Sequence, residues 1–561
     1  MTALAGPRRR PGQFRIGLLA LAMAACSAPP RKVGGQPSWR QPGEPDPSPA
    51  PTPAAVALTV APKTAATAAY NDPPRTAAPS TPVGDALAAE IIALAPPGAV
   101  PVADGRLYAA ASALAEVVPS EGILPYPLVE FALQHHGIVE PSPNLLVVWG
   151  PLDRPQLLAD NLRPRLAEIL HGEPQRRFGI GTAQRGDRAA IVVMLQASFV
   201  DTQPIPRSLA LGASAPLRGQ IAAGFAEPEA FVTGDDGQVS RLALTTTADG
   251  QFTGTLRCGP AVGRLQVEVA ADDHTGSTVL ANFPVWCGQA PPATATAAVD
   301  ADDAAPVTSA AAAEARLLTL LNRDRVAAGR APLVMVSEVA AVARAHSQDM
   351  RDHGFVGHIS PTTGSAADRV AAAGIKSGVV LENIARAYGP AEAQAGLMNS
   401  PGHRANALST AATHIGIGVV LGDEVAGRRE LYVTEVFIRI PPALDPVAAH
   451  RLLAGRFRAD AHLEVDPALD AIAATFATAL AAGTPRDQAR RAISRDLDAL
   501  ANRYRQAASV VTAVTDLDGV EARELVGDTV ADQVGIGIAQ GPHPELGPGA
   551  YWIVLILAAA R

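Results

Sequence analysis

Three times the chain writes an apolar residue, a glycine, an isoleucine and a second glycine ahead of a turn and a second apolar strand. These are Phe-Gly-Ile-Gly at 178–181, Ile-Gly-Ile-Gly at 415–418 and Val-Gly-Ile-Gly at 534–537. Helical apolar spacing lies upstream of each copy, and LEVDPALDAIAATFATAL before the third echoes LVMVSEVAAVARAHSQDM before the second. A period of this kind restricts the chain to related α/β units, each with its helices first and a hairpin last. At 561 residues the chain is also too long for one core.

The first unit is expected at 83–199, with helices at 107–117, 128–135 and 158–170 and a hairpin turning at Gly186-Asp187. The last is expected at 442–561, with helices at 450–458 and 468–481. Between 204 and 288 the pattern changes to short alternating segments broken at Asp249-Gly250 and Thr275-Gly276. Such spacing predicts an antiparallel, immunoglobulin-like β-sandwich. Segments rich in Pro, Ala and Thr read as a disordered tether at 26–82 and a linker at 289–313, because they cannot bury enough apolar surface to offset ordering entropy.

At the N-terminus, Arg8, Arg9 and Arg10 precede a short apolar run and the small residues before Cys26. The arrangement predicts a signal peptide at 1–25, and it resembles a lipobox, which implies cleavage before Cys26 and acylation there by palmitate or a related chain. The expected location is therefore the bacterial cell envelope, extracytoplasmic and anchored to a membrane by lipid. Oxidation is permitted there, so Cys258 and Cys287 are expected to form a disulfide, the alternative being two buried thiols. A formal charge of −8 supplies no basic field for a phosphate backbone, so nucleic acid is excluded as a partner.

Chemistry concentrates at 314–441. Asn322-Arg323, Pro332-Leu333, FVGHISP at 355–361, LENIA at 381–385, SPGHRAN at 400–406 and the Gly-Ile-Gly copy at 415–418 follow one another in order. Together they resemble a bacterial CAP domain, the superfamily of cysteine-rich secretory proteins, antigen 5 and pathogenesis-related 1, also called the SCP domain. The resemblance implies a central α-β-α sandwich with a cleft, and makes the whole an α/β multidomain chain whose outer units are degenerate CAP-like copies. It also implies that His358, Glu382 and His403 gather in the cleft, with Glu392 the candidate for a second acidic residue. Leu381 and Leu397 stand where the family often has glycine and tryptophan.

Neutral imidazoles are good zinc ligands, and a carboxylate can hold the second ring nitrogen of one. His358 and His403 are thus candidate ligands for zinc or another divalent metal. The expected role is a binding module for a cation, a lipid, an envelope polymer or a partner protein. A hydrolase using His358, Glu382 and His403 is the alternative, with Ser360 and Ser400 nearby in sequence; a structural surface spacer is the third. No HExxH spacing and no nucleophile elbow is present in the sequence. The outer units hold no counterpart of LENIA or SPGHR, and His135, His136 and His543 read as solvated loop residues.

Overall fold

The computed structural model describes residues 56–72, 80–119, 124–141, 143–172, 174–299, 307–425 and 428–561. All of them fall in one compact unit, Pro53–Arg561. The signal segment, Cys26 and the first part of the tether lie outside the described residues. The protein is a mixed α/β chain that contains three four-stranded sheets of one topology.

Each of these sheets begins with a two-residue strand, Val102–Ala103, Val334–Met335 or Glu464–Val465. That strand runs parallel to the first arm of a hairpin. The hairpins are Arg177–Arg185 with Arg188–Gln196, His414–Val425 with Arg428–Ile438, and Gln533–His543 with Gly547–Ala560. An antiparallel edge strand, Asn144–Gly150, Val380–Ala387 or Tyr504–Val514, closes the far side.

A helix leaves each short strand: Gly105–Ala115, Ser337–His353 or Pro467–Ala481. The residue before it ties back to the hairpin by a backbone bond, Asp104 N–H to Phe178 O at 2.9 Å, Val336 to Ile415 at 2.9 Å and Asp466 to Val534 at 3.0 Å. The helix then lies directly on the glycines. A Cβ at Gly179 or Gly181 would sit 2.3 Å or 2.1 Å from the backbone of Leu107 or Ala111. The same contact recurs at Gly416 and Gly418 (2.2 Å from Val339, 2.0 Å from Arg344) and at Gly535 and Gly537 (2.2 Å from Leu469, 2.1 Å from Ala473). Only a residue without a side chain permits that approach.

Between the first and central sheets stand two further sheets, one of four strands and one of five. They share a core in which Leu217, Phe252 and Leu256 of one meet Val267, Phe283 and Val285 of the other. The Cys258–Cys287 disulfide joins the end of Gln251–Arg257 in one sheet to the end of Gly276–Cys287 in the other.

Two stretches read as tether and linker are built into the fold. Val56–Val60 pairs antiparallel with Ala295–Val299, and Ala69–Tyr70 pairs with Ile205–Pro206. Tyr70 is wholly buried against Phe283, its hydroxyl donating to Pro284 O at 2.8 Å. Isolated Val, Leu and Tyr in a Pro/Ala-rich background were enough to order these segments, because each finds a partner far along the chain. His135 and His136 are buried rather than solvated, with His135 Nε2 3.0 Å from the carbonyl oxygen of Thr64.

Replacing Gly418 by Ala should force the helix Ser337–His353 off its sheet and lower stability by about 1–3 kcal/mol or more. Gly455→Ala is the control, since a Cβ there meets nothing within 4 Å and the helix gains up to about 1 kcal/mol. Thermal unfolding of the full chain reads both. Equal midpoints would contradict the account of the glycine contact.

Candidate functional site

The edge strand Val380–Ala387 organises the polar cleft, because successive residues point to opposite faces of a sheet. Glu382 goes to one face and Asn383 to the other. Glu382 Oε1 lies 3.0 Å from His358 Nδ1, and Oε2 pairs with the Arg369 guanidinium. Arg369 comes from the short helix Ala366–Ala372, which starts with a capping box between Ser365 and Asp368. Its other nitrogen donates to His358 O at 3.2 Å and Gly364 O at 2.6 Å, so one side chain fixes both the histidine loop and the glutamate.

Burial by itself would raise the Glu382 pKa. The hydrogen bond from His358 and the charge of Arg369 outweigh it and hold the group below its usual value. Glu382 is therefore a carboxylate, which can only accept, so His358 donates to it from Nδ1, and in the neutral ring Nε2 is left as a lone pair. The His358 side chain is 25% exposed, whereas those of Glu382 and Arg369 are 4% and 5% exposed.

On the other face, Asn383 Nδ2 donates to His403 O at 3.1 Å and to Glu435 Oε2 at 3.2 Å. Asn406 Nδ2 donates to Asn383 Oδ1 at 3.2 Å and to Glu382 O at 3.0 Å. Burial pushes Glu435 up to about 7, only partly offset by Asn383. These groups position the short helix that carries His403. Its ring centroid stands 6.3 Å from that of His358, at an interplanar angle of 32°.

His403 is held from outside its own unit. Ser400 caps the helix Pro401–Ala407, and its hydroxyl lies 2.7 Å from His403 Nδ1. The same hydroxyl donates to Glu268, whose second oxygen accepts from Gly402 N–H at 2.9 Å. While Glu268 is ionised that hydrogen is committed to it, so the neutral His403 ring donates from Nδ1 to Ser400 and Nε2 is left unprotonated. Glu268 belongs to the strand Gly263–Asp273 of the five-stranded sheet. One residue earlier, Asn399 Nδ2 donates at 2.6 Å to Glu130, from the helix Tyr126–His135 of the first unit. Burial raises both Glu268 and Glu130 to about 7, against the hydrogen bonds they accept. His403 moves the other way, down to about 3, through burial and then the neighbouring His358.

The structure thus brings His358, Glu382 and His403 together. Glu392 instead turns its carboxylate to the N–H of Tyr388 at 3.1 Å, before its own helix Pro390–Asn399. Ser360 folds onto its own turn, bonding the backbone of Thr362 and Thr363. Arg369, Glu435, Glu268 and Glu130 were not singled out from the sequence. A capping box ahead of Arg369 was a readable signal; the two carboxyls from neighbouring units had none.

A nucleophilic triad needs the imidazole between the hydroxyl and the acid. Here the Ser400 hydroxyl stands between His403 and Glu268, and it is buried. Among the described residues no group of three or more His, Cys, Asp or Glu side chains is arranged to hold a metal ion. The two imidazoles form a two-ligand set. Zinc–nitrogen bonds of about 2.0–2.1 Å in tetrahedral geometry would bring their centroids to about 5 Å, roughly 1 Å closer than they stand. Their donor chemistry fits a borderline divalent ion whose remaining ligands are not protein.

Residues 318–437 match the family model described as "Cysteine-rich secretory protein family", CAP. The chain is 41% identical over 113 residues to the uncharacterized protein YkwD of Bacillus subtilis (strain 168), a match covering 20% of this chain and 44% of that one. It is 39% identical over 108 residues to the uncharacterized membrane protein YlbC of the same strain, covering 19% and 31%. The chain thus spans less than half the length of either relative. A solved extracellular SCP-domain protein from Bacillus anthracis str. Ames aligns at 19% identity and TM-score 0.22, over 40% of this chain and 82% of that one.

Glu268, Glu130 and Glu435 bind a proton in the folded chain at a pH where the unfolded chain has released it. Their contribution is full below the ordinary carboxylate pKa of about 4.5 and is lost as pH rises through about 7. His403 has the opposite sign, but above about pH 6.5 it is neutral in both states and adds no slope. The unfolding midpoint should therefore fall as pH rises from about 6.5 to 7.5 and level off above it, where the three groups are ionised in both states, and Glu268→Gln should flatten the fall. A midpoint rising across this window would contradict the assignment.

Proposed function

With a CAP domain at residues 318–437 as the premise, we propose that the chain is an extracytoplasmic binding module of the cell envelope. Its cleft offers two neutral imidazoles, His358 and His403, to a divalent transition-metal ion or to a ligand that such an ion carries. The observation behind this reading is the state of the rings. Each Nδ1 is engaged, by Glu382 and Ser400 respectively, and neither Nε2 has a hydrogen-bond partner among the described residues. A second ring nitrogen fixed in this way is what orients an imidazole for coordination. Hydrolysis is disfavoured by the order of Ser400, His403 and Glu268 and by the absence, among the described residues, of a hydroxyl presented to either Nε2.

The outer units are read as degenerate CAP-like copies, and the ladder register supports this. Opposite the first glycine through one intervening residue lies Glu382 in the central sheet, Leu145 in the first and Ser509 in the last. By the same register Asn383 corresponds to Leu146 and Val510, Thr434 to Val192 and Val554, and Glu435 to Val193 and Leu555. On the helix, three and four residues beyond Ala343, Ala111 and Ala473, which each touch the second glycine, His346 and Ser347 correspond to Leu114 and Ala115 and to Phe476 and Ala477. Scaffold positions are kept while the polar ones turn apolar, with Ser509 the exception. The two-sheet unit at 204–288 is read as immunoglobulin-like, and its disulfide accords with an oxidising compartment. Acylation at Cys26 would supply the anchor.

Titration of the full chain with cobalt(II), followed by ligand-field absorption, should show one site with nitrogen ligands. His358→Ala and His403→Ala should each weaken it at least tenfold; unchanged uptake in both would sink the shared site. Incorporation of labelled palmitate should disappear in Cys26→Ala, and label retained in that variant would remove the anchor.

A further inference from the structure

Beside His403 lies a cavity of about 360 Å³ that the central unit does not form alone. Its walls come from the first unit, the two-sheet unit and the central unit, and it runs between the edge strands Asn144–Gly150 and Val380–Ala387. No ladder joins the two strands, although Arg386 reaches across to Asn144 Oδ1 at 3.3 Å.

Both edges turn unpaired main-chain groups toward this gap. In an antiparallel pair, the N–H and C=O of one residue point the same way, and alternate residues point out of the sheet. Glu382 O accepts from Asn406 and Trp149 O accepts from Arg188, so Glu382 and Trp149 belong to the outward sets. Counting by twos, Ile384 and Arg386 face outward from one edge and Leu145 and Val147 from the other. Ile384, Arg386 and Leu145 all line the cavity, and none has a backbone partner on that side among the described residues. Edge groups of this kind are a template for another strand.

The remaining walls suit an uncharged chain. Leu124, Val129, Leu280 and Leu397 are apolar, Gln196 and Asn282 supply amides, and the carboxylate of Glu392 accepts from Tyr388 N–H at 3.1 Å. Gln196 is 3% exposed, both its donor bonds are spent on Pro141 O and Ala197 O, and its Oε1 is buried without a partner. That oxygen calls for an N–H from an occupant.

We propose that this cavity takes an extended, uncharged peptide segment, which adds as a strand between the two edges and is read mainly through its backbone. At about 3.3 Å per residue, a segment of three or four residues is long enough to meet the outward groups of Ile384 and Arg386 on one edge. The site borders the imidazole pair at His403 and does not require a metal.

The test is affinity selection of a randomised library of N-acetylated tetrapeptide amides on the full chain, with selected peptides resynthesised with N-methylated backbones. Selected peptides should be apolar and uncharged, and N-methylation should weaken them at least tenfold. Gly396→Leu should do the same, because Gly396 lines the cavity and a Cβ there meets only Tyr126, at 3.9 Å. Cobalt uptake by Gly396→Leu should persist, which keeps this question separate from that of the imidazoles. No enrichment, equal binding of the N-methylated forms, or full binding by Gly396→Leu would each overturn the proposal. Equal binding after N-methylation would mean that the cavity takes small amphiphiles without reading a main chain.

Discussion

The contact on which the three sheets depend is backbone against backbone. At two glycines in each hairpin, a helix approaches so closely that any Cβ would overlap it. The helix starts are fixed by the same hairpins, through the bonds from Asp104, Val336 and Asp466. Position along the chain, register and helix placement are thereby locked together. A scaffold set by absent side chains leaves the other faces free to vary, which is how equivalent positions can be polar in one sheet and apolar in two.

The polar set of the central sheet is expensive to bury. Glu382 is tolerated because Arg369 and His358 satisfy both oxygens, and removing one member of such a buried pair typically costs about 3–5 kcal/mol. Glu435, Glu268 and Glu130 are accommodated differently, by remaining protonated to about neutral pH. Two of these three come from neighbouring units and grip consecutive parts of the loop 399–402. The helix bearing His403 is thus set by its contacts with the first unit and the two-sheet unit as well as by its own motif.

Local pattern carried much of the fold. The hairpin turning at Gly186-Asp187, the turns at Asp249-Gly250 and Thr275-Gly276, and helices near 107–117, 128–135, 158–170, 450–458 and 468–481 were readable because period and turn chemistry are local. The helix Arg486–Ala499 and the strand Tyr504–Val514 were not singled out; few of their apolar residues are large, and the helix is strongly charged. Val56–Val60 and Ala69–Tyr70 were hidden by prolines and alanines around them, their partners lying far along the chain. In the site, His358, Glu382 and His403 stood in recognisable motifs. Glu268 and Glu130 could not be seen, since nothing near them in sequence refers to residues 399–402.

The central claim is that the cleft presents two neutral imidazoles, each protonated on Nδ1 and open at Nε2. Nitrogen-15 NMR of the histidine side chains in the full chain tests this directly. At pH 8, where Glu268 is ionised, both rings should give the signature of the Nδ1–H tautomer, and His403 should stay neutral down to pH 5 or below. A His403 that titrates near 6.5, or a His358 protonated on Nε2 alone, would contradict the account.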